Sequence, residues 1–87
     1  MKVSVVSPER ILFEDEAVHV QVPAYDGLIG ILPRHAPLLA LLGSGVLVVR
    51  AAGGEQRFRV AGGFVQVRDN VVRVVAEQAA PLDAEAA

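Results

Sequence analysis

The sequence predicts an all-β domain, a sandwich or a barrel built from short strands. Three observations carry that expectation. Of 87 residues, 16 are valine, and β-branched side chains, stiff at χ1, suit a pleated surface better than a helix. Apolar and polar residues alternate with a period of two in several runs. Turn signals recur at short intervals, with no long helical pattern before the end of the chain.

Along the chain, the trio Glu14-Asp15-Glu16 reads as a solvated, charged bend between two strands rather than a cation site. Val18, Val20 and Val22 then alternate with His19 and Gln21, the pattern of a half-buried strand. Pro37 and Gly43 bracket an apolar stretch from Leu38 to Leu42 too short for more than one helical turn, so a short strand is expected there. Val46-Leu47-Val48-Val49 is apolar on both faces, as in a strand covered on both sides. Phe58 and Val60 alternate with Arg57 and Arg59. Turns are expected at Asp26-Gly27, Gly43-Ser44-Gly45, Ala52-Gly53-Gly54 and Gly62-Gly63. Asp69-Asn70, between two valine-bearing runs, fits a two-residue hairpin loop with positive φ. Residues 1–77 form one domain on this reading, and residues 78–87 an alanine-rich, acidic tail in which Pro81 fits the first turn of a short helix.

Composition excludes several classes of function. A formal charge of −2 provides no basic field for phosphate backbones, and aromatic residues for base stacking are few. Without cysteine there is no disulfide framework and no thiolate metal site. No apolar run approaches the ~20 residues that span a bilayer, and no signal-peptide pattern precedes Pro8, so a cytoplasmic protein is the default. The two histidines, His19 and His35, lack metal-ligand spacing, and His19 is expected as a solvated surface residue. Ser4, Ser7 and Ser44 sit in no nucleophile elbow. The Gly27-x-x-Gly30 pair is too short and apolar to cradle phosphate, and both glycines are expected in turns with positive φ. No catalytic residue, cofactor or metal is expected. His35, between Pro33 and Pro37, admits two compatible readings: a ring that fixes its own loop through a backbone carbonyl, or a residue on a partner-facing surface.

One segment is unusually informative: Asp26-Gly27-Leu28-Ile29-Gly30-Ile31-Leu32-Pro33-Arg34-His35-Ala36-Pro37-Leu38-Leu39. It resembles the signature of the epsilon subunit of F-type rotary ATP synthases, called delta in mitochondria. The opening Val5-Val6-Ser7-Pro8-Glu9-Arg10 with Leu12-Phe13, and the later Gly62-Gly63-Phe64-Val65-Gln66-Val67 and Asn70 through Glu77, are similar to the same family. Gln66, Arg73 and Leu28 depart from its usual residues, the first two at expected surface positions on strands.

The resemblance implies a flattened sandwich of about eight to ten short, mostly antiparallel strands. It implies a non-catalytic stalk subunit that binds the gamma subunit and the membrane c-ring and couples proton- or sodium-driven rotation to ATP synthesis. Such a subunit sits peripherally on the cytoplasmic face of the bacterial inner membrane. Pro33, His35, Ala36, Pro37, Leu38 and Leu42 are expected to face gamma, and Ser7, Asp26, Gly27 and Leu28 the c-ring. Leu82-Asp83-Ala84-Glu85-Ala86 resembles the start of the family's two-helix domain, so a short form without those helices is expected. The alternative from another class is a free-standing small β-domain that binds a peptide or self-associates through exposed strand edges. Co-purification with gamma separates the two.

Overall fold

The computed structural model of the chain describes residues 1–82. They form eight strands: β1 (Lys2–Val6), β2 (Ile11–Glu16), β3 (His19–Ala24), β4 (Gly27–Ile31), β5 (Leu38–Leu41), β6 (Ser44–Ala51), β7 (Gly54–Arg68) and β8 (Val71–Pro81). Seven lie side by side in the order β2-β1-β8-β7-β6-β3-β4, and β5 pairs with β7. All pairings are antiparallel except that of β1 with β8.

The 15-residue β7 turns this single ladder into two layers. Its residues 54–61 pair with β6, and its residues 64–67 pair with β5. Between them stand Gly62 and Gly63 at φ 73° and 106°, a region that L side chains rarely enter. β8 follows β7 around this bend in one register, unpaired only opposite Gly62. A Cβ on Gly63 would collide with the carbonyl oxygen of Val75, so the close approach of the two strands requires glycine there. One layer thus contains β4, β3, β6 and the start of β7. The other contains β5, the rest of β7, most of β8, β1 and β2.

Alternate residues of both layers fill the interior. Val3, Val5, Val20, Val22, Val60, Val65, Val72 and Val74 are each fully buried, and each such valine contributes about 1.5–3 kcal/mol over its exposed state. Phe13 of one layer meets Phe58 of the other edge to face, with ring centroids 6.5 Å apart. This is the all-β sandwich that the sequence predicts, including the alternation of Phe58 and Val60 with exposed Arg57 and Arg59. The Asp69-Asn70 turn has both residues at positive φ, 53° and 63°, as a two-residue hairpin matched to strand twist requires.

Several local expectations are corrected. Glu14-Asp15-Glu16 is no bend but the end of β2; Glu16 Oε1 accepts from the Met1 ammonium at 3.3 Å. Val18 lies outside β3 and is exposed, because its N–H turns to the carbonyl of Arg50 as the chain enters the sheet. Gly30 is not at positive φ but extended within β4. Val46 and Val48 are half-buried, so the outer cover expected over β6 is partial. At the end, β8 runs through residues 78–81, with Pro81 paired to Phe58 instead of opening a helix. The rest of the expected helical remnant, residues 83–87, lies outside the described residues.

Candidate functional site

The loop between β4 and β5, residues 32–37, is fixed at three points. His35 N–H donates to Leu32 O at 3.1 Å. Pro33 occupies the second turn position and Arg34, at φ 67°, the third, the arrangement of a type II turn. Arg34 N–H donates to Asn70 Oδ1 at 2.7 Å, tying the loop to the tip of the β7–β8 hairpin. The His35 ring places Nδ1 2.7 Å from Ala36 O; a carbonyl only accepts, so Nδ1 carries the proton and Nε2 is left for another partner. The loop-fixing reading of His35 thus has a definite bond behind it. Its half-buried ring still presents an edge, beside exposed Pro33, Ala36 and Pro37.

β5 alternates. Leu38 and Ala40 pack against the core, while Leu39 and Leu41 are 70% and 65% exposed. Leu42, expected on a partner-facing surface, is a core residue at 4% exposure and has no surface to offer. The exposed leucines of this stretch are Leu39 and Leu41 instead, because the period-two phase of so short a strand is set by its pairing with β7. Register also reveals a feature invisible in the linear sequence. Leu41 pairs with Phe64, Phe64 with Val75, Val75 with Val6 and Val6 with Ile11. These five residues form an apolar row across five strands on the outer face of one layer, with Leu41 and Ile11 most exposed. Leu39, Leu41 and Phe64 line a shallow apolar depression at its start.

At the other end of β5 the second group of candidates gathers. Ser7 heads the β1–β2 turn, where its N–H donates to Arg10 O at 2.9 Å. Ser7 and Pro8 share a depression with Gly63 and Phe64. Leu42 N–H donates to Gly63 O, and Tyr25 N–H donates to Leu41 O at 2.8 Å. This chain of contacts sets the Ser7 turn and the β3–β4 turn at Asp26, Gly27 and Leu28 along one rim. Asp26, Gly27 and Leu28 are exposed there, and so is Tyr25, at 80%, which the sequence reading passed over. An aromatic residue inside a hairpin loop is the signal that could have found it.

His19 corrects its expectation. Its ring is half-buried against Gly30, with Nδ1 buried and without a hydrogen-bond partner. Among the described residues, no three acidic or histidine side chains gather to hold a metal. No helix among them is long and apolar enough to cross a membrane.

Residues 1–82 match the family model for the β-sandwich domain of the ATP synthase delta/epsilon chain. The chain belongs to that family. It is 45% identical over 80 residues to the ATP synthase epsilon chain of Leptospira borgpetersenii, covering 92% of this chain and 63% of that one. With the epsilon chain of Desulforudis audaxviator the identity is 49% over 78 residues, covering 90% and 57%. The chain therefore spans less than two thirds of the length of either relative. Its fold is similar to a chain in the Euglena gracilis mitochondrial ATP synthase, OSCP/F1/c-ring, with a TM-score of 0.85, 25% identity and coverage of 93% and 52%. It is also similar to one in the Tetrahymena thermophila central stalk/c-ring assembly, with a TM-score of 0.77, 20% identity and coverage of 92% and 65%. As an epsilon-type sandwich, the molecule presents two candidate surfaces at opposite ends of β5, with the Leu41–Phe64 pair at the end of the Ser7 and Asp26-Gly27-Leu28 rim.

Proposed function

We propose that this chain acts as a central-stalk subunit of an F-type ATP synthase, gripping the gamma subunit while resting on the c-ring. The observation that carries the reading is the apolar row from Leu41 to Ile11 on the outer face of an epsilon-family sandwich, with the fixed loop of Pro33, His35, Ala36 and Pro37 at the far end of β5 from Leu41. A torque-transmitting contact needs apolar area on a stiff support, because pre-ordered groups lose little entropy on docking. The loop, pinned by Asn70 and by its own turn, and the row, mounted on paired strands, meet that need. Leu38, next in sequence after the loop, is half-buried and packs against the core. The rim of Ser7, Asp26, Gly27 and Leu28 takes the ring-facing role, with Tyr25 added to it. The subunit itself has no catalytic step. It couples ion-driven rotation of the ring to ATP synthesis elsewhere in the complex, and sits peripherally on the cytoplasmic face of the bacterial membrane.

The test is co-expression with a gamma subunit from the same organism, followed by purification through a tag on gamma. Stoichiometric recovery of this chain is expected, and reconstituted complexes should regain coupled synthesis only when it is present. Its absence from purified gamma would overturn the reading.

A further inference from the structure

We propose that the outer edge of β4 pairs antiparallel with the same edge of a second copy of this chain, about a two-fold axis at Ile29. The backbone directions set the edge. Gly43 N–H donates to Pro23 O and Tyr25 N–H to Leu41 O, each at 2.8 Å, so residues 23 and 25 turn their main-chain groups away from β4. Val20, Val22 and Ala24 therefore face β4 and engage Ile31, Ile29 and Gly27. Leu28 and Gly30 are left aiming N–H and C=O outward, and among the described residues no strand pairs with that outer edge of β4.

Exposed edges of this kind are normally blunted by charge, proline or a bulge. β2, at the far end of the strand order, has Glu14, Asp15 and Glu16 and a register shift against β1. β4 reads Gly-Leu-Ile-Gly-Ile and has none of these devices.

The occupant follows from self-complementarity. In an antiparallel pair centred on Ile29, Leu28 of each copy lies opposite Gly30 of the other, and their free backbone groups satisfy one another. Leu28 is 67% exposed and stands on the same face as Gly30. Gly30 leaves an open slot whose nearest wall is His19 Nε2, 3.7 Å from where a Cβ would sit. Each leucine fills the slot of the other copy. Charge agrees with shape: Asp26 lies before one end of β4 and Arg34 beyond the other, so antiparallel pairing brings unlike ends together. The inference does not rest on the stalk reading, but it uses Leu28, which that reading places on the ring-facing rim, so β4 pairing and docking on the ring exclude one another at this residue.

Sedimentation equilibrium of the chain from micromolar to millimolar concentration tests it. A monomer–dimer equilibrium is expected, with the Leu28 and Gly30 amides slowing in hydrogen exchange as concentration rises. Leu28→Lys, at an exposed position, should keep the β-sheet circular dichroism and weaken dimerisation at least about tenfold, as edge lysines do. Gly30→Val, which fills the slot, should weaken it too. Leu39→Lys, in the other layer, should leave it unchanged. A monomer at every concentration overturns the proposal, as does a dimer that survives Leu28→Lys or one that Leu39→Lys abolishes.

Discussion

Asn70 joins three parts of the chain through one residue. Its φ of 63° closes the β7–β8 hairpin, its carbonyl accepts from Lys2 N–H at 3.2 Å, and its side chain holds Arg34 N–H. Asn70→Gly preserves the turn and removes only the side-chain bond, so a loss of about 1 kcal/mol in urea unfolding is expected. Asn70→Val adds the strain of a β-branched residue in the left-handed region and should cost roughly 1–3 kcal/mol more. In both variants the Arg34 amide should exchange faster with solvent. His35→Asp probes the loop that Asn70 secures. If the loop docks on gamma, an unpaired carboxylate there should weaken binding by roughly 2 kcal/mol, while the isolated domain keeps most of its melting temperature. Unchanged affinity removes His35 from the contact, and a large fall in melting temperature assigns it to the loop alone. Asn70 was legible in the sequence as a turn residue. Its bond to a residue 36 positions away was not, because short-range pattern reports only neighbours along the chain.

Among the elements, β7 governs the architecture through its bend. Gly63→Ala would drive a methyl group into the Val75 carbonyl at a φ of 106°, and a loss above about 3 kcal/mol is expected, enough to unfold a marginal domain. Gly53→Ala is the matched control: nothing lies within 4 Å of its added Cβ, so its melting temperature should hardly move. Equal effects of the two substitutions would show that the bend does not depend on Gly63. The sequence marked Gly62-Gly63 as a boundary between strands, and the residues on each side were read with the right period. What the pattern lacked was the distinction between a loop and a corner, because in both the glycines interrupt the alternation. The opposite error arose at Gly30, where a missing side chain in an extended strand resembles a turn. The Glu14-Asp15-Glu16 run misled for a related reason, since consecutive charges on an edge strand face water on both sides.

On the scale of the whole molecule, the apolar row is the feature with the largest consequence for binding. Leu41→Lys leaves the buried interior untouched, so the isolated domain should fold normally. If the row meets gamma, affinity should fall by about 2 kcal/mol, roughly thirtyfold, measured by titration against purified gamma. No change would move the contact elsewhere. The row escaped sequence reading because its members come from five strands, and only register aligns them. The sandwich itself was legible, since valine content, alternation and turn chemistry all pointed the same way. The parallel pairing of β1 with β8 has a further consequence, for the order in which the protein can be made. Of the described strands β1 emerges from the ribosome earliest and can find β2 soon after, yet its other neighbour, β8, is the latest of them to be made. Until Val71–Pro81 has cleared the exit tunnel, Val3 and Val5 face a layer with a missing stave. Folding of this domain should therefore be late and all at once, with nascent chains stalled before Val71 remaining sensitive to protease along their whole length.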